Sequence, residues 1–390
     1  MMNQLVKDLN YTEQQRAIRT MVRDFAEKEI APGAEERDRT GEFPYDLYIR
    51  LGELGLTYMR YPKEYGGMDS DYLSFCLAAE EIARVDCSLA ITLVSSVANG
   101  LELLVGATEE QKKRWMDDFI LPVAQGQAIV CGAVTEPQAG SDTAGIQTYA
   151  ALDGGEWVIN GSKSLITNAG LKNCVCVLVL ALTNRAEREF STFMVPTGTP
   201  GYTIMPKYRK MGWRSSDTRE LAFEECRVPA GNVVGVIGGG RKRIVTSAFC
   251  ETRIGVATLS LGVHQACYER SLEYAKQRIA FGKPLSKFQH IQNMLVEMAT
   301  DLELSRLLRD KAALLVDVAD TPPMKEASMA KLYCCEVAKK AADYAIQIHG
   351  GLGYMDECPV SRYYRDVRVT TIVDGATDIQ KIIIAKELGC

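Results

Sequence analysis

The spacing of apolar residues changes twice along this chain, and this change constrains the fold more than any other feature. Residues 1–128 show helical spacing interrupted at glycines, residues 129–240 carry short runs rich in β-branched and aromatic residues, and residues 241–390 return to helical spacing. The sequence therefore predicts an α+β multidomain protein with an N-terminal α-helical domain, a central small β domain and a C-terminal helical bundle, divided at those boundaries.

The central segment is unlike that of a Rossmann protein, in which strands and helices alternate. Its clearest strand-like runs lie at residues 156–159, 175–180, 191–195 and 220–223. No Gly-x-Gly-x-x-Gly sequence occurs, and the three glycines at 238–240 lie where a flexible connector is expected. If a dinucleotide binds, it must be held by another kind of site.

The composition excludes several classes of protein. Apolar residues make up 47% of the chain and charged residues 24%, as in an average folded protein, so wholesale disorder is excluded. The net charge of −5 argues against a nucleic-acid partner, and the short basic cluster at 241–243 does not change that balance. No run of 18 apolar residues and no targeting segment is visible, which predicts a cytoplasmic protein without membrane insertion.

The cysteines and histidines do not suggest a metal site. The 12 cysteines are scattered or adjacent, without a Cys-x-x-Cys pair, and are predicted to be reduced, buried small apolar residues. The histidines are His264, His290 and His349, too few and too far apart for a typical zinc site. We expect no bound metal.

Four separated segments carry the most specific patterns. Residues 134–142 read Val-Thr-Glu-Pro-Gln-Ala-Gly-Ser-Asp, and residues 160–168 read Asn-Gly-Ser-Lys-Ser-Leu-Ile-Thr-Asn. Residues 278–289 contain Arg-Ile-Ala-Phe-Gly and end in Phe-Gln. The fourth begins with Gln-Ile-His-Gly-Gly-Leu-Gly-Tyr at 347 and reaches Asp-Gly-Ala-Thr-Asp-Ile-Gln at 374–380. Taken singly, the first two would be ordinary turns and the third a solvated helix end.

In this order, the four segments resemble the acyl-CoA dehydrogenase family over essentially the whole chain. The resemblance implies that the central domain is a small β-barrel or sandwich and that the C-terminal domain is a four-helix bundle. It also implies FAD as cofactor. In the family the third segment reaches into the neighbouring subunit, so the resemblance implies a homotetramer, or at least a dimer.

The resemblance assigns flavin contacts to all four segments. Thr135 would contact the flavin, Thr167 would hydrogen-bond near flavin N5, and Arg278 would pair with the pyrophosphate, which suits a permanently charged guanidinium. Leu165 stands where the family has an aromatic ring, which gives the flavin face more space. The full implied set is Thr135, Ser141, Leu165, Thr167, Arg278, Phe281, Gln289, Gln347, Gly350, Gly351, Ala376 and Asp378.

Asp374 occupies the position of the family's catalytic glutamate, with Val373 in place of the usual tyrosine. A base is needed because the hydrogen next to a thioester is only weakly acidic. In the family, the backbone N–H of the base residue and a flavin hydroxyl polarise the thioester oxygen. Burial should raise the pKa of the aspartate toward the working pH. We therefore predict Asp374 as the base; the alternative is an aspartate that caps the final helix.

Two residues on an earlier helix are further candidates for the active site. Glu251 is the second candidate base, because a few relatives place the glutamate on this helix, although Thr252 occupies the equivalent position. Arg253 resembles a family arginine on the CoA side, and a surface salt bridge is its alternative role. The predicted substrate-binding residues are Ser141, Arg253 and Gly375.

The sequence also constrains the acyl group. Glutaryl-specific relatives carry an arginine in the helix at 90–96, whereas residues 89–94 are uncharged here, which disfavours a dicarboxylic substrate. A base one methylene shorter must meet its proton at closer range, as a bulky α carbon would allow. The first substrate hypothesis is therefore an alicyclic acyl-CoA such as cyclohexane-1-carboxyl-CoA, and the second is a short or branched chain.

The implied electron acceptor is electron-transferring flavoprotein. One alternative is an enoyl-CoA reductase that runs the reverse reaction on the same fold. A more distant alternative is a non-catalytic CoA-binding scaffold, which the retained Thr135, Thr167, Arg278 and Gln347 argue against. An oxidase would need oxygen to reach the reduced flavin, a property that the sequence does not reveal.

Overall fold

The computed structural model describes residues 11–243 and 248–390 and follows the predicted order of helices, strands and helices. Thr12 caps the first described helix: its side chain accepts a hydrogen bond from Gln15 N, and Thr12 N donates one to Gln15 Oε1. The N-terminal helices are α1 (Glu13–Phe25), α2 (Ala34–Thr40), α3 (Tyr45–Glu53), α4 (Tyr72–Val85), α5 (Cys87–Gly106), α6 (Glu109–Trp115) and α7 (Leu121–Ala124).

The central part is one seven-stranded sheet. Its spatial order is β1-β4-β2-β3-β7-β6, with β5 paired to β4; β1 and β4 are parallel, and the hairpin partners are antiparallel. All four strand-like runs of the sequence lie in strands. The strands are β1 (Ile129–Ala133), β2 (Tyr149–Asp153), β3 (Glu156–Thr167), β4 (Cys174–Asn184), β5 (Glu189–Pro196), β6 (Tyr202–Ile204) and β7 (Thr218–Pro229).

Helices return after the sheet, and the long ones among them form the predicted bundle. The helices are α8 (Gly240–Arg243), α9 (Phe249–Gln277), α10 (Gln289–Val318), α11 (Met324–His349), α12 (Pro359–Val367) and α13 (Thr377–Glu387), with a small hairpin of β8 (Ile279–Ala280) and β9 (Lys283–Pro284) after α9. Helix α9 packs against α10, α11 and the N-terminal helix α4. Small buried residues on α11, such as Ala330, Ala341 and Ala345, allow this close approach.

A buried ion network fastens the N-terminal helices to the bundle. Glu80 in α4 is fully buried and accepts hydrogen bonds from Arg309 at 2.8 Å and Arg306 at 3.3 Å, both in α10. Glu81 beside it accepts one from Arg19 of α1 at 2.8 Å. Burial works to raise the pKa of Glu80, but the surrounding arginines lower it to about 2, so the carboxylate stays charged. Helices α1, α4 and α10 are therefore tied together electrostatically.

The cysteines are free, and every one except Cys390 is buried, as predicted from their apolar surroundings. Among the described residues one helix, α5, is long and apolar enough to cross a membrane. Because 61% of its most apolar window is buried against the rest of the chain, it has the character of a core helix. The cytoplasmic location stays a prediction.

Candidate functional site

The first two sequence motifs meet where β1 ends beside the end of β3. Ser164 N donates to the Thr135 carbonyl at 2.9 Å, and Lys163 Nζ donates to the Val134 carbonyl at 3.0 Å. Thr135 lies two residues after the end of β1, and Thr167 is the last residue of β3. The two threonines predicted to contact the cofactor are thus on adjoining backbone segments.

A buried ion pair holds these segments together. Lys163 is fully buried and donates to Glu136 Oε1 at 2.8 Å, and Glu136 also accepts from the backbone N–H groups of Gln147 and Thr148. Burial works to raise the pKa of Glu136, but the charge of Lys163 and these hydrogen bonds outweigh it, so the pKa lies below its ordinary value. Burial lowers the pKa of Lys163 to about 8, so both partners are ionised at neutral pH.

Sequence reasoning did not assign a role to this pair, although both residues lie inside the quoted motifs. The signal was available: the second motif contains a single ionisable residue, Lys163, and the first contains only acidic ones, Glu136 and Asp142. Their separation in sequence hid the contact, because the two partners are 27 positions apart.

Three hydroxyl groups predicted to bind ligand are free to do so. No described residue hydrogen-bonds to the side chains of Thr135, Ser141 or Thr167, and none of the three is fully buried. Thr135 and Thr167 are half-buried, and Ser141 is exposed. Hydroxyls that are ordered by strand ends but lack a protein partner are suited to hydrogen-bond an uncharged heterocycle or an amide. The residues present therefore fit the pyrimidine edge of a flavin.

Leu165 is turned outward by a β-bulge. The register between β3 and β7 shifts between Lys163 and Ile166, and Leu165 adopts φ 60° with 63% of its surface exposed. A left-handed leucine is uncommon and costs conformational energy. The bulge places an apolar side chain beside Thr167, where the sequence predicts a flavin contact.

Asp374 lies in a tight turn before the last helix. Asp374 and Gly375 both have positive φ, 52° and 92°, and glycine suits the second position because a Cβ there would lie 2.6 Å from Gln380 Nε2. The N-cap of α13 is Ala376, without a side-chain cap hydrogen bond, so Asp374 does not cap that helix. No described residue accepts a hydrogen bond from the Asp374 backbone N–H.

Two buried cations surround this turn. Burial raises the pKa of the Asp374 carboxyl above its ordinary value, and the charges of Lys331 and Arg253 offset part of that rise. Arg253 in α9 is buried, and burial lowers its pKa while the charge of Asp374 opposes this. Among the described residues Arg253 forms no salt bridge within 4.0 Å; its Nη1 donates to Met324 Sδ at 3.7 Å. The surface salt bridge considered for Arg253 is therefore wrong.

Glu251 faces a different environment. Its carboxylate lies 4.0 Å from Arg60, and the pKa of Glu251 is raised by burial and by the nearby Asp317, with Arg60 opposing. Arg60 itself donates to Asp317 at 2.9 Å. The second candidate base thus belongs to a cluster with the N-terminal helices and α10, and Asp374 is not among the charges that affect it.

Helix α5 connects the two halves of the site. Asn168, directly after β3, donates from Nδ2 to the Thr92 carbonyl at 3.3 Å. On the other side, a Cβ added to Gly255 of α9 would lie 2.6 Å from Val94 Cγ1, so the two helices touch closely. The uncharged stretch predicted to line the acyl pocket therefore lies between the strand end that carries Thr167 and the helix next to Asp374.

The remaining predicted cofactor residues lie on the surface of the single chain. Phe281 is 96% exposed with φ 47°, and Arg278, which begins the same hairpin, is exposed and has no described carboxylate within 4.0 Å. Gln289, the first residue of α10, is also exposed. An apolar ring and a free guanidinium side by side on a small hairpin suit contact with another molecule.

A second exposed group follows helix α11. Gln347, Gly350 and Gly351 are exposed, and a Cβ added at either glycine would meet nothing within 4 Å. His349 beside them is not placed as a base: its Nδ1 lies 2.7 Å from the Ala345 carbonyl and its ring stacks on Tyr274. Of the last two predicted contacts, Ala376 is half-buried and Asp378 is exposed. No hydrogen bond among the described residues joins Gln347, Gly350 or Gly351 to Asp374.

Comparison with known proteins identifies relatives along the whole chain. Three family models match: the acyl-CoA dehydrogenase N-terminal domain at residues 12–121, the middle domain at 131–226 and the C-terminal domain at 238–389. The mitochondrial short-chain specific acyl-CoA dehydrogenase of Mus musculus is 41% identical over 96% of this chain and 90% of its own length.

Solved structures agree with the sequence comparison. The butyryl-CoA dehydrogenase of Megasphaera elsdenii is 36% identical with a TM-score of 0.92, covering 98% of this chain and 99% of that one. A chain from a structure described as the electron transferring flavoprotein of Acidaminococcus fermentans is 37% identical, also with a TM-score of 0.92 and coverages of 98% and 99%.

Proposed function

This chain belongs to the acyl-CoA dehydrogenase family, a flavin-dependent family of oxidoreductases that act on the CH–CH group of acyl-CoA, and we propose that it uses FAD and the carboxylate of Asp374. The observation that carries the proposal is the Asp374 turn. Its carboxyl has a raised pKa, its backbone N–H has no described partner, and a buried arginine lies close to it. These are the properties required of a base beside a thioester.

The chain's own groups account for proton removal. The Asp374 carboxylate takes the α proton of the acyl group, while the Asp374 N–H donates to the thioester oxygen and stabilises the negative charge that develops there. FAD, held by Thr135 and Thr167 of the same chain, would supply the acceptor for the hydride lost from the β carbon, so that loss of the α proton and of this hydride leaves a double bond between the two carbons. Arg253 keeps positive charge near the carboxylate, and in this proposal it orients the CoA side of the ligand.

Residues that hold FAD lie on two surfaces in this proposal. Thr135, Ser141, Leu165, Thr167 and the turn at Ala376 and Asp378 contact the cofactor bound by the same chain. A cofactor shared with a second copy contacts two groups of exposed residues. The first is Arg278, Phe281 and Gln289, and the second is Gln347, Gly350 and Gly351. The free guanidinium and exposed ring of the hairpin support this assignment.

We propose a homotetramer that passes electrons to electron-transferring flavoprotein. The hairpin exposes Phe281, and helix α10 exposes a series of large apolar side chains. A second copy would cover these side chains, which in α10 are Val296, Leu304, Leu307, Leu314 and Val318. The similarity to a chain from an electron transferring flavoprotein structure supports the proposed electron acceptor.

The proposed substrate is an uncharged acyl-CoA with a compact acyl group. Helix α5 offers no charged side chain between Leu89 and Val94, Val373 replaces a tyrosine, and the base is short. Cyclohexane-1-carboxyl-CoA, whose α carbon carries a ring, fits these features. The similarity to short-chain and butyryl-CoA dehydrogenases supports a short chain as the second candidate.

A substrate panel tests this choice. Initial rates with electron-transferring flavoprotein as acceptor would be measured for cyclohexane-1-carboxyl-CoA, butyryl-CoA, isobutyryl-CoA and glutaryl-CoA, in both reaction directions. We expect kcat/KM for the alicyclic thioester to exceed that for glutaryl-CoA by about 100-fold or more, because a buried distal carboxylate would have no partner. A preference for butyryl-CoA would select the short-chain hypothesis, and a preference for glutaryl-CoA would contradict the proposed pocket.

The activity should depend on pH through Asp374. The base acts only when deprotonated, so kcat/KM should fall as pH drops through the pKa of Asp374. Because burial raises that pKa, the acid limb should lie above the ordinary aspartate value of about 3.9. A pH profile of kcat/KM, with protein stability checked at each pH, measures the limb; a limb at or below pH 4 would contradict the account.

A further inference from the structure

Lys331 is a buried lysine that the proposed chemistry does not use. It lies in α11, exposes almost none of its surface, and directs its ammonium group at the turn that follows α12. Nζ donates to the Thr370 carbonyl at 3.1 Å and to the Gly375 carbonyl at 2.9 Å. It forms no salt bridge within 4.0 Å among the described residues. A charged side chain buried without a direct ion pair is costly, so its retention calls for a reason.

The two carbonyls that Lys331 binds flank Asp374. Thr370 precedes the aspartate by four positions and Gly375 follows it directly. Between them the chain adopts the left-handed conformation at Asp374, which a non-glycine residue maintains only when its surroundings enforce it. Gln380 adds two hydrogen bonds on the other side, to the carbonyls of Asp374 at 3.2 Å and Gly375 at 2.8 Å. Lys331 and Gln380 thus fix both ends of the turn.

The turn leaves the backbone N–H of Asp374 unbonded by the described residues while the neighbouring carbonyls are occupied. A donor aimed at a developing oxyanion must be held before reaction begins, because reorganisation during the reaction would cost rate. Binding both flanking carbonyls is a direct way to fix the direction of that N–H.

We propose that Lys331 is a positioning residue that holds the Asp374 turn in its reactive conformation and tunes the acidity of the base through its positive charge. This inference rests on the proposed role of Asp374.

The charges around the turn support the proposal that Lys331 tunes the acidity of Asp374. Burial raises the pKa of Asp374, and Lys331 from α11 gives the largest opposing effect. Arg253 and the Thr252 hydroxyl, both from α9, also lower this pKa. Burial lowers the pKa of Lys331 and Arg253 lowers it further, while Cys335, Asp374 and Glu336 oppose this shift. Removing the Lys331 charge should therefore raise the pKa of Asp374 further.

Three variants separate positioning from charge. Lys331→Met removes both the hydrogen bonds and the charge, Lys331→Gln keeps a donor without charge, and Lys331→Arg keeps the charge with altered geometry. Lys340→Met is the matched control, because Lys340 lies on the same helix, its side chain is 40% exposed, and it pairs with Glu297 and Asp301 rather than with the Asp374 turn. Flavin absorbance and circular dichroism report whether each holoenzyme is folded.

The readouts are the acid limb of kcat/KM and the exchange of α protons of acetyl-CoA into D2O. Acetyl-CoA has no β hydrogen, so exchange reports proton removal alone. In Lys331→Met we expect exchange to slow about tenfold or more and the acid limb to move to higher pH by about one unit. Lys331→Gln should show the same pH shift with a smaller loss of exchange, and Lys331→Arg should keep the wild-type limb.

Unchanged exchange and an unchanged acid limb in Lys331→Met would overturn the proposal, as would a slower rate without any pH shift in both neutral variants. If Lys331→Met does not fold, Lys331→Gln decides the question by the same two readouts. Failure of the Asp374 assignment is recognised separately: Asp374→Asn would then retain wild-type exchange, whatever the Lys331 variants do.

Discussion

Asp374→Asn is expected to lower kcat/KM for acyl-CoA oxidation by about 10²–10⁴-fold, the range found for removal of a general base. Asparagine has nearly the same shape and keeps the backbone N–H, but its amide cannot accept a proton at neutral pH. The variant should still bind FAD and acyl-CoA, because its turn is held by Lys331 and Gln380 through backbone carbonyls. Anaerobic mixing with substrate, followed by flavin absorbance, measures the loss directly.

Three comparison variants make this result specific. Asp374→Glu keeps a carboxylate and should retain more activity than the asparagine variant. Asp343→Asn changes an exposed aspartate on α11 and should leave kcat/KM unchanged. Glu251→Gln should have a small effect, since that carboxylate belongs to the Arg60 cluster. Wild-type rates in Asp374→Asn together with a large loss in Glu251→Gln would transfer the base role to α9.

Lys163→Met is expected to destabilise the protein by about 3–5 kcal/mol, as when one partner of a buried ion pair is removed. Methionine fills a similar volume, but it leaves Glu136 buried without its cation and removes the hydrogen bond to the Val134 carbonyl. Because these contacts hold the segment of Thr135 against β3, FAD affinity should fall as well. Thermal unfolding and FAD titration of the apoprotein measure the two effects.

A double variant tests the physical reason for this loss. Glu136→Gln in the Lys163→Met background removes the unpaired charge and should recover a substantial part of the stability. Lys172→Met is the control, because Lys172 is exposed and its ammonium lies over the ring of Tyr45 without a salt bridge among the described residues. A Lys163→Met protein as stable as wild type would show that the pair does not hold the two motifs together.

The order of the three parts could be predicted from the sequence because it depends on local properties. Helical and strand periodicities are visible in short windows, and caps such as Thr12 involve residues only three positions apart. The apolar surroundings of the cysteines likewise predicted their burial. The aspartate before the final helix could not be separated by sequence from an ordinary cap; the observed N-cap at Ala376 excludes that alternative.

The contacts that support the site could not be predicted, because they join residues far apart in sequence. Glu80 and Arg309 lie 229 positions apart, and Lys331 meets the Gly375 carbonyl 44 positions away. Periodicity marks such charged residues as surface residues, since buried charges are rare. Only the packing of α4 on α10, and of α11 on the Asp374 turn, reveals their partners. The surface position of Arg278 and Phe281 could not be predicted for a related reason, because their proposed partner is another chain.

The central claim is that the Asp374 carboxylate lies against the acyl group of a bound thioester, opposite a flavin. A crystal structure of the holoenzyme with an unreactive acyl-CoA analogue measures this directly. We predict a carboxylate oxygen within about 3.5 Å of the α carbon and the thioester oxygen within hydrogen-bonding distance of the Asp374 N–H. An α carbon placed beside Glu251, with Asp374 out of reach, would contradict the account.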